Sequence, residues 1–449
     1  MTETSFARRA RGISGCGALV ALLLSPGFLA AAADPPTEPL RAAITGSVSD
    51  REGRPIPRAS VMIWTAAPKR GYSTYCPSCY ADCGKRAVTD AKGKFSFERV
   101  DPSLRFNLLV VRQGFAPLDV QKVEPFGNPV AARLLPRVLP SDPLQVVSGR
   151  IVGPNGEPAA DAVVDPEFVS WKREDGTSDA IWGHGEGLDP LAVSNDQGEF
   201  EVTFKRPALK MNLCVYARGM APKWFELPTG SDRHTLRLQR GATIRGRLVQ
   251  FGKPIADAEM GLIAKDRGMI GFFPEARIAT QSAGRFEFTN VAVPNNWFLY
   301  AKMDSIASRG ATVPVSCHTI DGDDIDIGDI HVMPGHRVRG RVILTDGKRI
   351  ADGMQFRIDS QEAWDSQAVS LRPDGRFEFQ NVPTGDYSLS ASVQGYHMSE
   401  KNPNLSGSTI DGRIAADLDD FIILLDPGKG ACGIGRFREG KPLASAPQP

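Results

Sequence analysis

GRVILTDGKRIAD (residues 340–352) and PDGRFEFQNVPTGDY (residues 373–387) are the two stretches that decide the fold. The first predicts a strand, a glycine turn and a second strand. The second predicts a tight Asp-Gly turn, a strand with two aromatic side chains on one face, a Pro-Thr-Gly turn and a further strand. Together they are typical of a protein built from short β-strands.

Both phrases recur along the chain. The glycine of the opening phrase is found at Gly46, Gly149, Gly246 and Gly340, about 94 to 103 residues apart, and such regular spacing indicates tandem copies of one unit. Residues two apart on a strand share a face, so each Phe-x-Phe or Phe-x-Val places two large apolar groups in one core. The closing phrases are DAKGKFSF (90–97), DQGEFEV (196–202), SAGRFEF (282–288) and DGRFEF (374–379).

Length and charge restrict the class of protein. A chain of 449 residues is too long for one core, whereas a unit of about 95 residues has ordinary domain size. A net charge of +1 offers no field that would attract nucleic acid. The predicted domains are repeats at 42–140, 145–240, 241–334 and 335–428, followed by a tail at 429–449 that resembles the start of a fifth repeat.

The amino terminus predicts export. Residues 1–33 combine Arg8, Arg9 and Arg11 with an apolar run and an Ala-Ala-Ala cleavage site, which is the pattern of a signal peptide, and residues 34–41 form a Pro-containing linker. Cys16 lies in a lipoprotein-like box that precedes the apolar run, so secretion is favoured over lipidation. No later segment reaches the roughly 20 apolar residues that span a bilayer. The predicted location is secreted, periplasmic or at the cell surface.

Repeat one carries a cysteine cluster, Cys76, Cys79 and Cys83, with two interpretations. In an oxidising compartment Cys83 could pair with Cys76 or Cys79 as a disulfide and leave one thiol. Alternatively, the thiolates could bind a metal or do redox chemistry. A zinc site would need a fourth ligand and no histidine is near in sequence, so disulfide or structural use is favoured and no cofactor is predicted.

Each repeat also has an inserted segment with aromatic residues. The insertion of repeat two, 165–191, contains Trp171, Trp182 and His184, and that of repeat four contains Trp364. These side chains could form a contact surface, with sugar stacking on the tryptophans as the sharpest hypothesis. The alternative is that they pack under their own loops or against the adjoining repeat, because tryptophan is usually largely buried.

The repeated phrases resemble the carboxypeptidase regulatory-like domain family. The pattern G-x-[VIL], then G-x-P-[IA]-x-x-A, then D-x-x-G-x-F-x-F covers nearly all of residues 42–428, and repeats two and three match it more loosely. The resemblance implies four tandem Greek-key β-sandwiches of the transthyretin-like type, also grouped with carbohydrate-binding-like folds. It implies no catalytic residues.

A search for catalytic motifs agrees with this. His397 and Glu400 match the first part of a zinc carboxypeptidase motif, but no histidine follows them, and no nucleophile elbow, P-loop or dinucleotide fingerprint occurs. The sequence therefore predicts a non-catalytic binding or spacer protein that contacts extracellular carbohydrate or a surface protein. The alternatives are an accessory array of a larger secreted enzyme and a purely structural stalk.

Overall fold

The computed structural model describes residues 42–70, 77–78, 80–267, 273 and 275–428. These residues form strands with short connections, one short helix, α1 (Met303–Ile306), and a 3-10 turn at Pro143–Gln145. The described strands form eight sheets, which pair into four β-sandwiches. The prediction of an all-β sandwich fold is confirmed. The predicted signal peptide, the linker at 34–41 and the tail at 429–449 lie outside the described residues.

The first two sandwiches run from residue 42 to residue 237. Sandwich one consists of β1 (Ala42–Ser49), β2 (Ser60–Pro68), β3 (Arg86–Val88), β4 (Lys94–Val100), β5 (Leu104–Val111), β6 (Leu118–Val123) and β7 (Val130–Arg133). Sandwich two consists of β8 (Val146–Val152), β9 (Val163–Lys172), β10 (Ser178–Trp182), β11 (Ala192–Val193), β12 (Glu199–Thr203), β13 (Lys210–Tyr216), β14 (Lys223–Pro228) and β15 (Arg233–Arg237).

The other two sandwiches run from residue 242 to residue 427. Sandwich three consists of β16 (Ala242–Gln250), β17 (Lys253–Pro254), β18 (Glu259–Ala264), β19 (Ala276–Ala279), β20 (Arg285–Val291), β21 (Asn295–Ala301), α1, β22 (Val315–Thr319) and β23 (Asp324–His331). Sandwich four consists of β24 (His336–Leu344), β25 (Gln355–Ser360), β26 (Ser366–Ser370), β27 (Arg376–Val382), β28 (Gly385–Ser392), β29 (Tyr396–Met398), β30 (Leu405–Ser406), β31 (Thr409–Ile414) and β32 (Leu418–Pro427).

One pairing rule holds in every sandwich. The opening strand pairs antiparallel with the Phe-x-Phe or Phe-x-Val strand and parallel with the last strand of its sandwich, as in β1 with β4 and β7. The same arrangement joins β8 to β12 and β15, β16 to β20 and β23, and β24 to β27 and β32. The second sheet of each sandwich is built around the pairs β2–β5, β9–β13, β18–β21 and β25–β28.

The repeated aromatic pairs point into the cores as predicted. Phe377 and Phe379 are buried while Glu378 between them is exposed, and the two rings pack 5.9 Å apart. The preceding Gly375 has a φ of +81°, and a Cβ there would collide with the carbonyl oxygen of Val342. Glycine is therefore required at this turn for both its backbone conformation and its lack of a side chain.

Each sandwich has its own principal apolar core. Two smaller apolar clusters join residues of different sandwiches. Among the described residues, no helix has the length and apolar character needed to cross a membrane.

Candidate functional site

The second sheet of sandwich one is apolar on both faces. Successive strand residues point to opposite faces, so Val61 and Ile63 of β2 enter the core while their neighbours point outward. An outward apolar face gains stability only if something covers it. The outward apolar side chains are Met62, Trp64, Leu109 and Val111.

Sandwich two covers this face. Val163 of β9 and the segment that leads into β11, with Leu191 and Val193, form one buried cluster with Leu109 and Val111. Met62, Trp64 and Tyr216 pack around it. This contact, named junction 1–2, joins two sandwiches through an apolar cluster rather than through the linker alone.

Arginines of sandwich one and aspartates of sandwich two surround the apolar part of junction 1–2. The least exposed pair is Arg137 with Asp189, whose side chains are 12% and 13% exposed. Arg137 Nη2 also donates to Thr203 Oγ1 at 2.8 Å. Such partly buried pairs are screened less by salt than surface pairs are. The further contacts are Arg58 with Asp161 at 2.5 Å, Arg58 with Asp196, and Arg86 Nη1 with the carbonyl oxygen of Asp161 at 2.9 Å.

His184, a predicted ligand residue, lies at this junction. Its Nε2 donates to Asp165 Oδ1 at 2.7 Å, and its ring packs edge-on against Trp64 of sandwich one with centroids 4.7 Å apart. Burial alone would lower the pKa of His184, but the hydrogen bond and charge of Asp165, with the charge of Glu167, raise it overall. His184 is thus held by its own sandwich and contacts the neighbouring one.

Glu167 completes a group of three titratable side chains. Burial, reinforced by the charge of Asp165 and opposed by that of His184, raises the pKa of Glu167 from 4.5 to about 7. Glu167 sits where the β9–β13 pairing shifts register, since Leu213 pairs with Pro166 and Asn212 pairs with Phe168. It is the extra residue of a β-bulge, and bulges redirect the side chains that follow them.

Junction 1–2 is expected to be less stable at higher pH. The folded pKa values of Glu167 and His184 both lie above their ordinary values, so the folded state binds protons more tightly than the unfolded state. The stabilisation is fully present below the unfolded pKa of each group and is lost as pH rises through the folded pKa, which for Glu167 is about 7. The thermal unfolding midpoint of sandwich two should therefore decrease as the pH is raised from about 5 to about 8.

Glu167→Gln should flatten that dependence, as measured by thermal unfolding at a series of pH values. Glu174→Gln, which changes an exposed carboxylate of the same sandwich, is the matched control and should leave the dependence intact. Parallel curves for the wild type and Glu167→Gln would contradict the assignment.

The two predicted tryptophans lie in different environments. Trp171 is only 6% exposed and belongs to the core of sandwich two, where its ring packs against Phe204 at 5.4 Å and below the guanidinium of Arg206 at 4.9 Å. It does not present a ring face to a ligand. Trp182 is 46% exposed and packs on Phe168 at 4.6 Å. Only Trp182 remains available for stacking, and the structure does not bring the two rings together as one platform.

Of the predicted cysteine cluster, only Cys83 is described. Its sulfur lies 3.4 Å from the carbonyl oxygen of Pro77, and burial raises its pKa to about 11. Cys76 and Cys79 lie outside the described residues, so disulfide and metal use both stay predictions. Within the described part of the chain, no group of three or more His, Cys, Asp or Glu side chains is arranged to hold a metal ion.

Sandwiches three and four also meet through a covered outer sheet face, at a contact named junction 3–4. Ile263 and Tyr300 on the outer face of the second sheet of sandwich three pack against Ala363, which lies between β25 and β26 of sandwich four. Met303 of α1 extends further and joins the apolar core of sandwich four. In the other direction, Asn381 Nδ2 donates to the carbonyl oxygen of Ala307 at 2.7 Å.

A buried ion network lies beside that apolar contact. Lys302 Nζ is 3.0 Å from Glu275 Oε1 and 3.1 Å from Asp365 Oδ1, and the three side chains are 10%, 4% and 4% exposed. Lys302 Nζ also donates to the carbonyl oxygen of Trp364 at 2.9 Å, and Tyr300 donates its hydroxyl proton to Glu275. All three donors of the ammonium group are thereby satisfied across two sandwiches.

Sandwiches two and three have an equivalent contact in the described residues. Trp224, which pairs with Cys214 and so lies on the outer face of the second sheet, packs against Phe273 with ring centroids 6.4 Å apart. Phe273 in turn contacts Trp297 of the third sandwich at 6.0 Å. In all three junctions, the outer face of one sandwich is contacted by the segment inserted after the second core strand of the next.

Sequence reasoning missed the junction residues Lys302, Glu275 and Asp365. The sequence does contain a signal for the covered sheet faces beside the junctions. VMIW in β2 and WFLY in β21 are continuous apolar runs rather than alternating ones, which is the pattern of strands buried on both faces. The identity of the covering loop has no comparable signal.

The fold and its junctions define a class: a protein of tandem β-sandwiches, each covering the sheet of the one before it. Residues 333–418 match the family model described as BOS complex subunit NOMO1-like, second beta sandwich domain. That match supports a β-sandwich domain of this kind in repeat four, while the carboxypeptidase regulatory-like assignment of all four repeats stays a prediction. No curated protein matches the chain.

Solved structures give only distant similarity. The streptococcal ancillary pilin is 12% identical, covering 63% of this chain and 99% of its own, with a TM-score of 0.22. The Bacillus anthracis TIE protein is 11% identical, covering 87% and 76%, with a TM-score of 0.18. The minor pilin of Streptococcus agalactiae is 12% identical, covering 43% and 100%, with a TM-score of 0.23.

Proposed function

We propose that this chain is a non-catalytic, secreted spacer whose tandem sandwiches hold a bound partner at a fixed distance and orientation. The observation that carries the proposal is the covered sheet face. Apolar side chains such as Leu109, Val111 and Tyr300 lie on outer faces and are buried by a neighbouring sandwich. A string of independently moving domains has no need for such faces.

The energetics of the junctions support restricted motion. Domains joined by small polar contacts move relative to one another by default, and large apolar interfaces suppress that motion. Junction 1–2 adds partly buried arginine–aspartate pairs to an apolar cluster. At junction 3–4 the Lys302 ammonium bonds to Asp365 and to the carbonyl oxygen of Trp364 in the neighbouring sandwich, which specifies one orientation of the two sandwiches.

The sequence supports export and a binding role. The signal-peptide pattern at residues 1–33 supports a secreted, periplasmic or cell-surface location, and the absence of a complete catalytic motif supports a non-catalytic role. The partner classes are a surface protein and an extracellular polysaccharide. An accessory array of a larger secreted enzyme is the competing proposal, and its spacer geometry would be the same.

Small-angle scattering of the full chain tests the spacer proposal. The wild type should fit one arrangement of sandwiches, whereas Val111→Asp, which places a charge in the apolar cluster of junction 1–2, should increase the maximum dimension and speed proteolysis near residues 139–145. Val88→Asp, at a position 45% exposed on β3, is the matched control and should change neither. A wild type that scatters as freely jointed beads would overturn the proposal.

A glycan contact at Trp182 is the second candidate. Its ring is half-exposed and supported from behind by Phe168, an arrangement that suits stacking on a sugar. A glycan array with the wild type and Trp182→Ala tests this. Binding that is lost in the variant supports the contact, and a wild type that binds no glycan removes it.

A further inference from the structure

Lys302 and Asp365 form a buried contact between two sandwiches, beside Glu275, whose other carboxylate oxygen is 2.5 Å from Arg277 Nε. The amine lies 3.1 Å from a carboxylate oxygen of Asp365, and a second carboxylate, Glu275, lies 3.0 Å from the same nitrogen. All three side chains are at most 10% exposed, and the aromatic ring of Tyr300 lies 5.5 Å from the amine. The lysine follows β21 in sandwich three, whereas Asp365 precedes β26 in sandwich four.

We propose that the chain joins Lys302 to Asp365 by an amide bond, with Glu275 carrying the protons, so that junction 3–4 becomes covalent. The Lys302 ammonium gives one proton to Glu275, which passes it to a carboxyl oxygen of Asp365, and the freed amine then attacks Cγ of the neutral carboxyl group. Glu275 transfers a second proton from the nitrogen to the same oxygen. The C–O bond breaks and that oxygen leaves as water. One ammonium and one carboxylate thus become one amide and one water, with no oxidant or external reactant.

The surroundings of the three groups favour this reaction. Attack requires a neutral carboxyl group, and burial raises the pKa of Asp365 to about 6 despite the opposing charge of Lys302. Tyr300 holds Glu275 by a hydrogen bond to Oε1, the oxygen that also faces Lys302. Fixed contact between the amine and the carboxyl group replaces a bimolecular encounter, and this lowers the barrier to attack. Exclusion of water also disfavours the reverse reaction, hydrolysis.

Peptide mapping by mass spectrometry tests the bond on the purified full chain. The wild type should yield a branched peptide that contains Lys302 and Asp365 and is lighter by one water than the two separate peptides. Lys348, which lies 2.9 Å from Asp346 but is 73% exposed, is the control within the same digest and should stay unlinked. Separate, unmodified peptides in the wild type would overturn the proposal.

Two variants separate the roles. Lys302→Arg keeps the positive charge but lacks the amine, so it should give no branched peptide. Glu275→Gln keeps the side-chain volume but cannot carry the proton, so link formation followed over time in newly synthesised chain should slow by about 100-fold or more. An unchanged rate in Glu275→Gln would remove Glu275 from the mechanism.

The bond and the spacer role can fail independently. A chain without the amide can still keep its sandwiches fixed through the apolar contacts, and scattering would show it. A chain with the amide can still bend at the other junctions, and mass spectrometry would detect the bond regardless.

Discussion

Lys302→Ala is expected to lower the free energy of unfolding of sandwiches three and four by about 3 to 5 kcal/mol, because it leaves the buried carboxylate of Asp365 without its cation, whereas Glu275 keeps Arg277. Guanidinium denaturation of the full chain measures this, and hydrogen exchange in β21 and β25 locates it. The loss is expected whether the groups are joined by charge or by a covalent bond.

The control for Lys302→Ala is Lys348→Ala, which removes an exposed partner of Asp346 and should change stability far less. Equal effects of the two substitutions would mean that the network across junction 3–4 contributes no more than a surface pair.

Trp171→Ala is expected to lower the free energy of unfolding of sandwich two by about 3 to 5 kcal/mol, since it opens a cavity beside Phe204 in the core. Trp182→Ala, from the same insertion but half-exposed, should cost clearly less. Denaturant unfolding with secondary structure as the readout measures both variants.

Comparing the two tryptophan variants also distinguishes a loss of stability from a loss of glycan binding. If Trp171→Ala were as well tolerated as Trp182→Ala, the placement of Trp171 in the core would be contradicted, and a surface role for its ring would again be open. Any glycan-binding experiment with Trp171→Ala therefore needs a stability measurement beside it.

The sequence predicted the sandwiches because their signals are local. A glycine turn, an alternating Phe-x-Phe strand and a regular spacing of the opening phrase each depend on neighbouring residues, and the pairing of β24 with β27 and β32 follows the predicted repeat. The predicted boundaries of the repeats rest on the same signals.

The environment of Trp171 could not be predicted for a specific reason. Strict alternation from the inward Val164 would have turned Trp171 outward, but the bulge at Glu167 reverses the order of faces, so Val169 and Trp171 enter the core instead. A single extra residue decides this, and no local motif marks it.

The junctions were unpredictable because they depend on distant parts of the chain. Glu275, Lys302 and Asp365 are separated by irregular intervals and come from two sandwiches, so no spacing links them. Their contact exists only once both sandwiches have folded and Ala363 has packed on Tyr300.

Because each sheet face is covered by a loop of the next sandwich, a single sandwich cannot be exchanged between proteins without disrupting a junction. A chimera cut in the linkers would transplant a sandwich together with a loop suited to its former neighbour, as Asp189 is suited to Arg137. Recombination that preserves function has to cross over inside sandwiches, keeping each face with the loop that follows it. Duplication of a single repeat would accordingly produce a new junction in which the sheet face and the covering loop do not match.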